Sequence, residues 1–342
     1  AVDAGCRYYF GYPITPQNDI PEYLSEALPR VGGVFIQAES ELAAINMVLG
    51  AAAAGGAAMT SSSGPGISLM QEGLSYLAGS ELPAVVVNIT RSGPGLGGIV
   101  PTQGDYHQAT RGGGHGDYRL IVLAPYSVQE MYDLAGEAFR LAFRYRNPVM
   151  ILGDAILGQM KEPVVLQGKK QQLEAGSWAL TGARDRPPRL IKSLYLKDGE
   201  MTVHNWKLHQ KYGEIKAKEA RAEVDCPPCC SLVVVAFGSC CRIARTAVDR
   251  ARRQGLRVGL VRPVTLFPFP EREIREAAAR AGRVLVVEMN TGQMVDDVHL
   301  AVDGAAAVHF KGYPGGEVPA PEQILVEIEK IIAEGGLQAC RR

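Results

Sequence analysis

Residues 83–90, PAVVVNIT, limit the fold of this chain more than any other stretch. A β-branched run without polar alternation marks a strand covered on both faces, and such strands belong to parallel sheets flanked by helices. Similar short runs at 8–10, 34–36, 57–61, 120–123 and 148–152 are predicted strands. Between them lie predicted helices: one begun by Pro16, one over 41–54, one over 67–78 and one over 128–144. Ser40 is the expected cap of the second, and Gly55-Gly56 its stop. Residues 92–116 are a Gly-rich loop. A second βα series follows, with strands at 232–237, 257–261 and 283–288 and helices at 242–254, 271–281, 292–300 and 321–334. The expected organisation is an α/β domain over 1–160, a linker with a polar helix at 206–224 over 161–230, and a second α/β domain over 231–342. The tail 335–342 is expected to fray. Residues 1–5 read as the interior of a helix, so an upstream segment is expected.

Composition removes whole classes of function. The 342 residues carry 36 basic and 36 acidic side chains, a net charge of 0, so no global field gathers nucleic acid or anionic lipid. The longest apolar-looking run, 42–59, is rich in Ala and Gly and holds Asn46, a poor membrane span. No segment of the sequence combines a basic start, an apolar stretch and a cleavage site, so secretion is not expected and a cytoplasmic location is. The 7 cysteines are an odd number in a large chain, which argues against a disulfide framework. Cys226-Pro-Pro-Cys229-Cys230, followed by Cys240-Cys241, lacks the paired spacing of zinc or iron–sulfur sites, so reduced structural thiols are expected. There is no G-x-G-x-x-G turn with its acidic partner and no P-loop, which disfavours a nicotinamide enzyme and excludes a P-loop ATPase.

Ligands of parallel sheets bind outside the carboxyl ends of the strands. Three polar residues fall there: Thr15 after the first strand, Glu41 opening the helix after the second, and Arg91 ending the strand at 85–90. Each has an ordinary reading, as a helix cap, a dipole complement and a surface ion pair respectively. Together they surround one crevice with a hydroxyl, a carboxylate and a cation. Gly64-Pro65-Gly66 makes a strand-to-helix turn beside them. Asn88, Gln103 and His107 are weaker candidates, and His115 is a lone, structural histidine.

Longer blocks carry a resemblance. Gly11-Tyr-Pro-Ile-Thr-Pro-Gln17, Glu39-Ser-Glu41-Leu-Ala-Ala-Ile45, Thr60-Ser-Ser-Ser-Gly-Pro-Gly66, Asn88-Ile-Thr-Arg-Ser-Gly-Pro-Gly95, Gly112-Gly-Gly-His-Gly-Asp117, Tyr145-Arg-Asn-Pro-Val149, Val261-Arg-Pro-Val-Thr-Leu-Phe-Pro-Phe269 and Val287-Glu-Met-Asn-Thr-Gly-Gln293 span nearly the whole chain. In these the sequence resembles the alpha subunit of the 2-oxoacid:ferredoxin oxidoreductases, most of all the 3-methyl-2-oxobutanoate (2-oxoisovalerate) type. The 2-oxoglutarate and pyruvate types are the alternatives, with a non-catalytic assembly subunit as the runner-up from another class.

The resemblance implies an α/β fold: a thiamine-diphosphate-enzyme pyrimidine-binding domain, with a parallel sheet and helices on both faces, then a transketolase C-terminal-like α/β domain that serves largely in assembly. It implies oxidative decarboxylation of a 2-oxo acid with coenzyme A to acyl-CoA, CO2 and reduced ferredoxin. Glu41, in preference to Glu39, matches the glutamate that meets N1′ of the cofactor's aminopyrimidine and favours its imino tautomer. Tyr12, Pro13, Ile14, Gly64, Pro65 and Gly66 match the cofactor wall, and Thr15 and Arg91 the substrate site. The Gly-Asp-Gly…Asn motif that holds Mg2+ and the diphosphate is missing: Gly153-Asp154-Ala155 and Gly104-Asp105-Tyr106 both lack the second glycine. The resemblance therefore implies no metal ligand in this chain. It implies a beta subunit bringing Mg2+-diphosphate and an Fe–S cluster, ferredoxin-like gamma and delta subunits, and ferredoxin as acceptor.

Overall fold

The computed structural model describes residues 1–167 and 173–334; the expected frayed tail, with Cys340, lies outside the described residues. In chain order the first half holds β1 (Tyr8–Gly11), α1 (Asp19–Arg30), β2 (Val34–Gln37), α2 (Glu41–Ala53), β3 (Ala58–Ser62), α3 (Pro65–Leu69), α4 (Gln71–Gly79), β4 (Ala84–Thr90), α5 (Tyr106–Arg111), β5 (Ile121–Leu123), α6 (Val128–Tyr145), β6 (Pro148–Asp154) and α7 (Ala155–Gln159). The second half holds α8 (Glu200–Glu219), β7 (Ala222–Asp225), β8 (Leu232–Val235), α9 (Gly238–Arg253), β9 (Val258–Pro263), β10 (Thr265–Phe267), α10 (Glu271–Ala281), β11 (Arg283–Glu288), α11 (Met294–Val302), β12 (Ala307–Gly312) and α12 (Pro321–Glu334).

Two sheets organise these elements. The first runs β10-β5-β6-β4-β3-β1-β2, parallel except for β10, and the second runs β12-β11-β8-β9-β7, parallel except for β7. All of β4 is buried, as its β-branched run requires. Its side chains alternate between two covered faces: Val85, Val87 and Ile89 line a cavity of about 630 Å3 against α1 and α6, while Asn88 and Thr90 point to the other face. Ser40 caps α2, its Oγ accepting the Ala43 N–H at 3.2 Å, and Gly55 follows the helix at φ 90°. Because β3 lies on the far side of β1 from β2, α2 must cross over β1, which carries its first residue, Glu41, back over the sheet.

Some boundaries differ from expectation. Residues 1–5 form turns rather than helix, with the Gly5 N–H donating to Val2 O at 3.1 Å. The first predicted helix begins at Asp19 rather than Pro16. The polar helix starts at Glu200 and is docked: His204, Leu208, Tyr212 and Ile215 are buried, and His204 Nε2 meets Gly79 O at 2.8 Å. Residues 222–225, expected as the end of that helix, are β7, paired antiparallel to β9. β10 leaves the C-terminal half to extend the N-terminal sheet. The two halves are also joined by Arg262, fully buried, whose guanidinium meets Glu130 at 2.6 Å and Glu223 at 2.7 Å. Among the described cysteines Cys6, Cys226, Cys230, Cys240 and Cys241 are free thiols, whereas Cys229 is disulfide-bonded, against the expectation of reduced thiols throughout.

Candidate active site

The carboxyl ends of β4, β3, β1 and β2 follow one another along the sheet, and each leads into one of the candidate residues. Arg91 follows β4, the Gly64-Pro65-Gly66 turn follows β3, Thr15 follows β1, and Glu41 opens α2 after β2. Among the described residues Arg91 has no ion-pair partner. Its Nη1 donates to the main-chain oxygen of Thr15 at 3.0 Å, and its Nη2 to that of Leu96 at 3.1 Å. Its Nε is buried without a hydrogen-bond partner. The guanidinium is thus oriented by two carbonyl dipoles and keeps unused donor capacity, the state of a cation held ready for an anion. Gly64, at φ 43°, lies against its aliphatic stem: a Cβ there would stand 3.4 Å from Arg91 Cγ.

Glu41 is 4% exposed, whereas Glu39 is exposed, so the enclosed carboxylate of the pair is Glu41. The hydrogen bond it accepts is from Ser62 Oγ, at 3.3 Å. A buried carboxylate has room for several donors, and one long bond leaves most of that capacity open. The helix turn beside it has been cut to fit: a Cβ on Gly66 would lie 2.3 Å from Glu41 Oε1 and 2.1 Å from Ser62 Oγ. Only glycine lets the α3 backbone approach the carboxylate so closely. A heterocycle that presents a ring N–H satisfies this acceptor, so the residues present fit the imino tautomer of an aminopyrimidine, which carries an N–H at N1′.

The Tyr12–Thr15 loop is tied down by a residue the sequence reasoning passed over. Gln17, 1% exposed, donates from Nε2 to Tyr12 O at 3.2 Å and accepts from Ser61 Oγ at 2.5 Å. Tyr12 and Pro13 are exposed, and Ile14 and Thr15 half-buried, at the lip of the crevice. Ser62 was missed as well. Its signal is the unbroken polar run Thr60-Ser61-Ser62-Ser63 in and just after a short strand between apolar elements, all of it buried.

The weaker candidates separate. Asn88 is fully buried and donates from Nδ2 to Asp105 Oδ2 at 3.0 Å; burial raises the Asp105 carboxyl above its ordinary range, and that bond partly offsets it. His107 lies away from Glu41, its Nε2 at 3.1 Å from Gln293 O and 3.3 Å from Asp296. His115 is exposed. Gln103 is buried against the C-terminal half. Among the described residues no cluster of three or more His, Cys, Asp or Glu is arranged to hold a metal ion, and no helix is long and apolar enough to cross a membrane.

Comparison with known proteins gives the family. Residues 1–225 match the pyruvate flavodoxin/ferredoxin oxidoreductase thiamine diphosphate-binding family, and residues 230–324 match pyruvate:ferredoxin oxidoreductase core domain II. The ketoisovalerate oxidoreductase subunit VorB of Methanothermobacter thermautotrophicus is 50% identical over 98% of this chain and 95% of its own length. The 2-oxoglutarate synthase subunit KorA of Archaeoglobus fulgidus is 41% identical over 87% of each. A solved 2-oxoglutarate:ferredoxin oxidoreductase from Magnetococcus marinus superposes with a TM-score of 0.82 at 26% identity, covering 96% of this chain and 62% of that one. A split-gene transketolase at 12% identity and a TM-score of 0.58 shares the fold. The chain belongs to the 2-oxoacid:ferredoxin oxidoreductase family, as an alpha-type subunit.

Proposed function

We propose that this subunit supplies the aminopyrimidine side of a thiamine diphosphate site and the anion-binding side of a 2-oxo acid site, with a branched-chain 2-oxo acid as substrate. The observation that carries the reading is the crevice itself. An enclosed carboxylate with spare acceptor capacity, after β2, and an oriented guanidinium with spare donors, after β4, stand at the same carboxyl edge of one parallel sheet, with the Gly64-Pro65-Gly66 turn touching both. The branched-chain preference is supported by the 50% identity to VorB over nearly the full chain, against 41% to KorA.

Thiamine diphosphate, when bound, supplies the nucleophilic carbon and the electron sink that decarboxylation needs. This chain's part is positional and electrostatic. Glu41 takes the ring N–H and, buried against Gly66, holds that proton where water does not compete. Arg91 grips the substrate carboxylate through two N–H···O bonds, with the Thr15 hydroxyl beside it. Tyr12, Pro13, Ile14, Gly64 and Pro65 form the surrounding wall. Mg2+ and the diphosphate, an Fe–S cluster, the binding of coenzyme A and the docking of ferredoxin fall to beta, gamma and delta partners. The substrate is tested on the complete complex by coenzyme A-dependent viologen reduction with 2-oxoisovalerate, 2-oxoglutarate and pyruvate. The highest kcat/KM is expected for 2-oxoisovalerate; a higher value for either of the others overturns the assignment.

A further inference from the structure

Arg91 is oriented by Leu96 O, and Leu96 belongs to the loop 92–104, whose tip is open to solvent: Leu96 is 80% and Ile99 62% exposed. Such a loop needs anchoring if its carbonyl is to hold a guanidinium in place. Its base is closed on itself, with the Ser92 N–H donating to Val100 O at 3.0 Å and the Gly98 N–H to Ser92 O at 2.9 Å. The outgoing arm then runs between the two halves and bonds to both. Thr90 Oγ1 donates to Thr102 O, and Thr102 Oγ1 donates to Met289 O at 3.1 Å.

Gln103 completes the attachment. All four of its polar atoms are paired, and all with the C-terminal half. Its N–H donates to Met289 O at 2.9 Å, its Oε1 accepts the Met289 N–H at 3.0 Å, its Nε2 donates to Phe237 O at 2.8 Å, and its carbonyl accepts from Asn290 Nδ2 at 2.9 Å. The receiving surface is shaped for it: a Cβ on Gly238 would lie 3.1 Å from Gln103 Nε2. It is also braced from behind. Glu288, fully buried, accepts from Asn290 Nδ2 at 2.9 Å and from the N–H groups of Met294 and Val295 at 2.8 and 2.9 Å. A glutamine that is 2% exposed and bonded only to main chain and one asparagine is held in a single geometry, and it transmits that geometry to the loop.

We infer that Gln103 is a positioning residue for substrate binding: through it the C-terminal α/β unit fixes the loop 92–104, and with it the Arg91 guanidinium. This gives the end of β11 and the start of α11 a part in the reaction beyond assembly. It rests on the reading that Arg91 receives the substrate carboxylate.

The test is a double-mutant cycle on the purified complete complex, reading KM for the 2-oxo acid, KM for coenzyme A and kcat. Gln103→Leu is expected to raise KM for the 2-oxo acid about tenfold and to leave KM for coenzyme A within about twofold. In an Arg91→Ala background the same change is expected to alter KM by less than about twofold, because the group it positions is gone. If Arg91→Ala alone leaves KM unchanged, the carboxylate assignment falls. If Arg91→Ala raises KM but the Gln103→Leu effect persists unchanged beside it, or if Gln103→Leu alone has no effect on KM, the positioning role falls. Should Gln103→Leu fail to assemble, Thr102→Val keeps the side-chain shape and removes the bond to Met289 O together with the one Thr102 Oγ1 accepts from the Gly104 N–H, both at 3.1 Å. An increase of about threefold, cancelled by Arg91→Ala, is then expected, and its absence overturns the inference.

Discussion

The Arg91 guanidinium donates to the main-chain oxygen of Thr15 at 3.0 Å, joining loops 76 residues apart in sequence. With Leu96 O on its other nitrogen, the fork is aimed by geometry that an ammonium does not reproduce. Arg91→Lys keeps the charge and loses the fork. We expect KM for the 2-oxo acid to rise about tenfold with a smaller change in kcat, measured by steady-state kinetics. A KM equal to that of the parent enzyme would speak against guanidinium recognition.

Gly66→Ala addresses the other half of the crevice. The added Cβ meets Glu41 Oε1 and Ser62 Oγ at 2.3 and 2.1 Å, inside any tolerable contact, so the carboxylate must move. Gly66 is not in the left-handed region, so the backbone itself accepts alanine. The expected result is a loss of activity of about tenfold or more with far-ultraviolet circular dichroism unchanged. Full activity would mean that Glu41 need not sit where it does.

Arg262 ties α6 to the C-terminal sheet by holding Glu130 and Glu223 at once. Removing one partner of a buried ionic cluster costs about 3 kcal/mol, discounted here because Glu223 is half exposed. Arg262→Leu should therefore lower Tm at neutral pH. The hydrogen bond from Arg262 holds the Glu223 carboxyl below the usual glutamate range, with burial opposing. A carboxyl depressed in the folded state stabilises above its unfolded value, about 4.3, and that stability is lost as pH falls through the folded value. Thermal scans should show the gap between parent and variant shrinking as pH drops below about 4. A gap that is constant with pH would remove the ionic explanation.

The cysteines differ in reactivity for reasons of environment. The hydrogen bond from Cys226 draws the Cys230 thiol below its usual range, opposed by burial and assisted by Arg280. Burial pushes Cys6 up to about 11 and Cys241 up to about 12, and it raises Cys240 well above the usual thiol range as well. Timed iodoacetamide labelling of the native chain at pH 7.5, read by peptide mass spectrometry, should modify Cys230 before Cys6, Cys240 or Cys241. Equal labelling of Cys241 would contradict this ordering.

Much of the fold was legible because its central strands are buried on both faces. β8 is apolar throughout, β4 and β6 open with apolar runs over 84–87 and 148–152, and α2 announces itself through Ser40 and Gly55. The sequence concealed the edges. β7, Ala-Glu-Val-Asp, is an exposed antiparallel edge strand whose polarity mimics the preceding helix. β10 is three residues long and pairs only through tertiary contact with β5. β12 alternates too weakly to stand out. In the crevice, Glu41, Arg91 and Thr15 stand at strand ends, where general rules direct attention. Gln17 acts by holding its neighbours, and nothing local marks it; Ser62 is marked only by a polar run in a buried strand, and Gln103, a weaker candidate by sequence, has its role set by bonds to residues as far as 186 positions away.

The most direct test of the account is the complete complex carrying Glu41→Gln, a side chain of the same shape, assayed by coenzyme A-dependent viologen reduction. Turnover should fall by at least about 100-fold while the complex assembles normally, because the positioned carboxylate is lost. Turnover within about twofold of the parent would contradict the claim that this buried carboxylate governs the cofactor's reactivity.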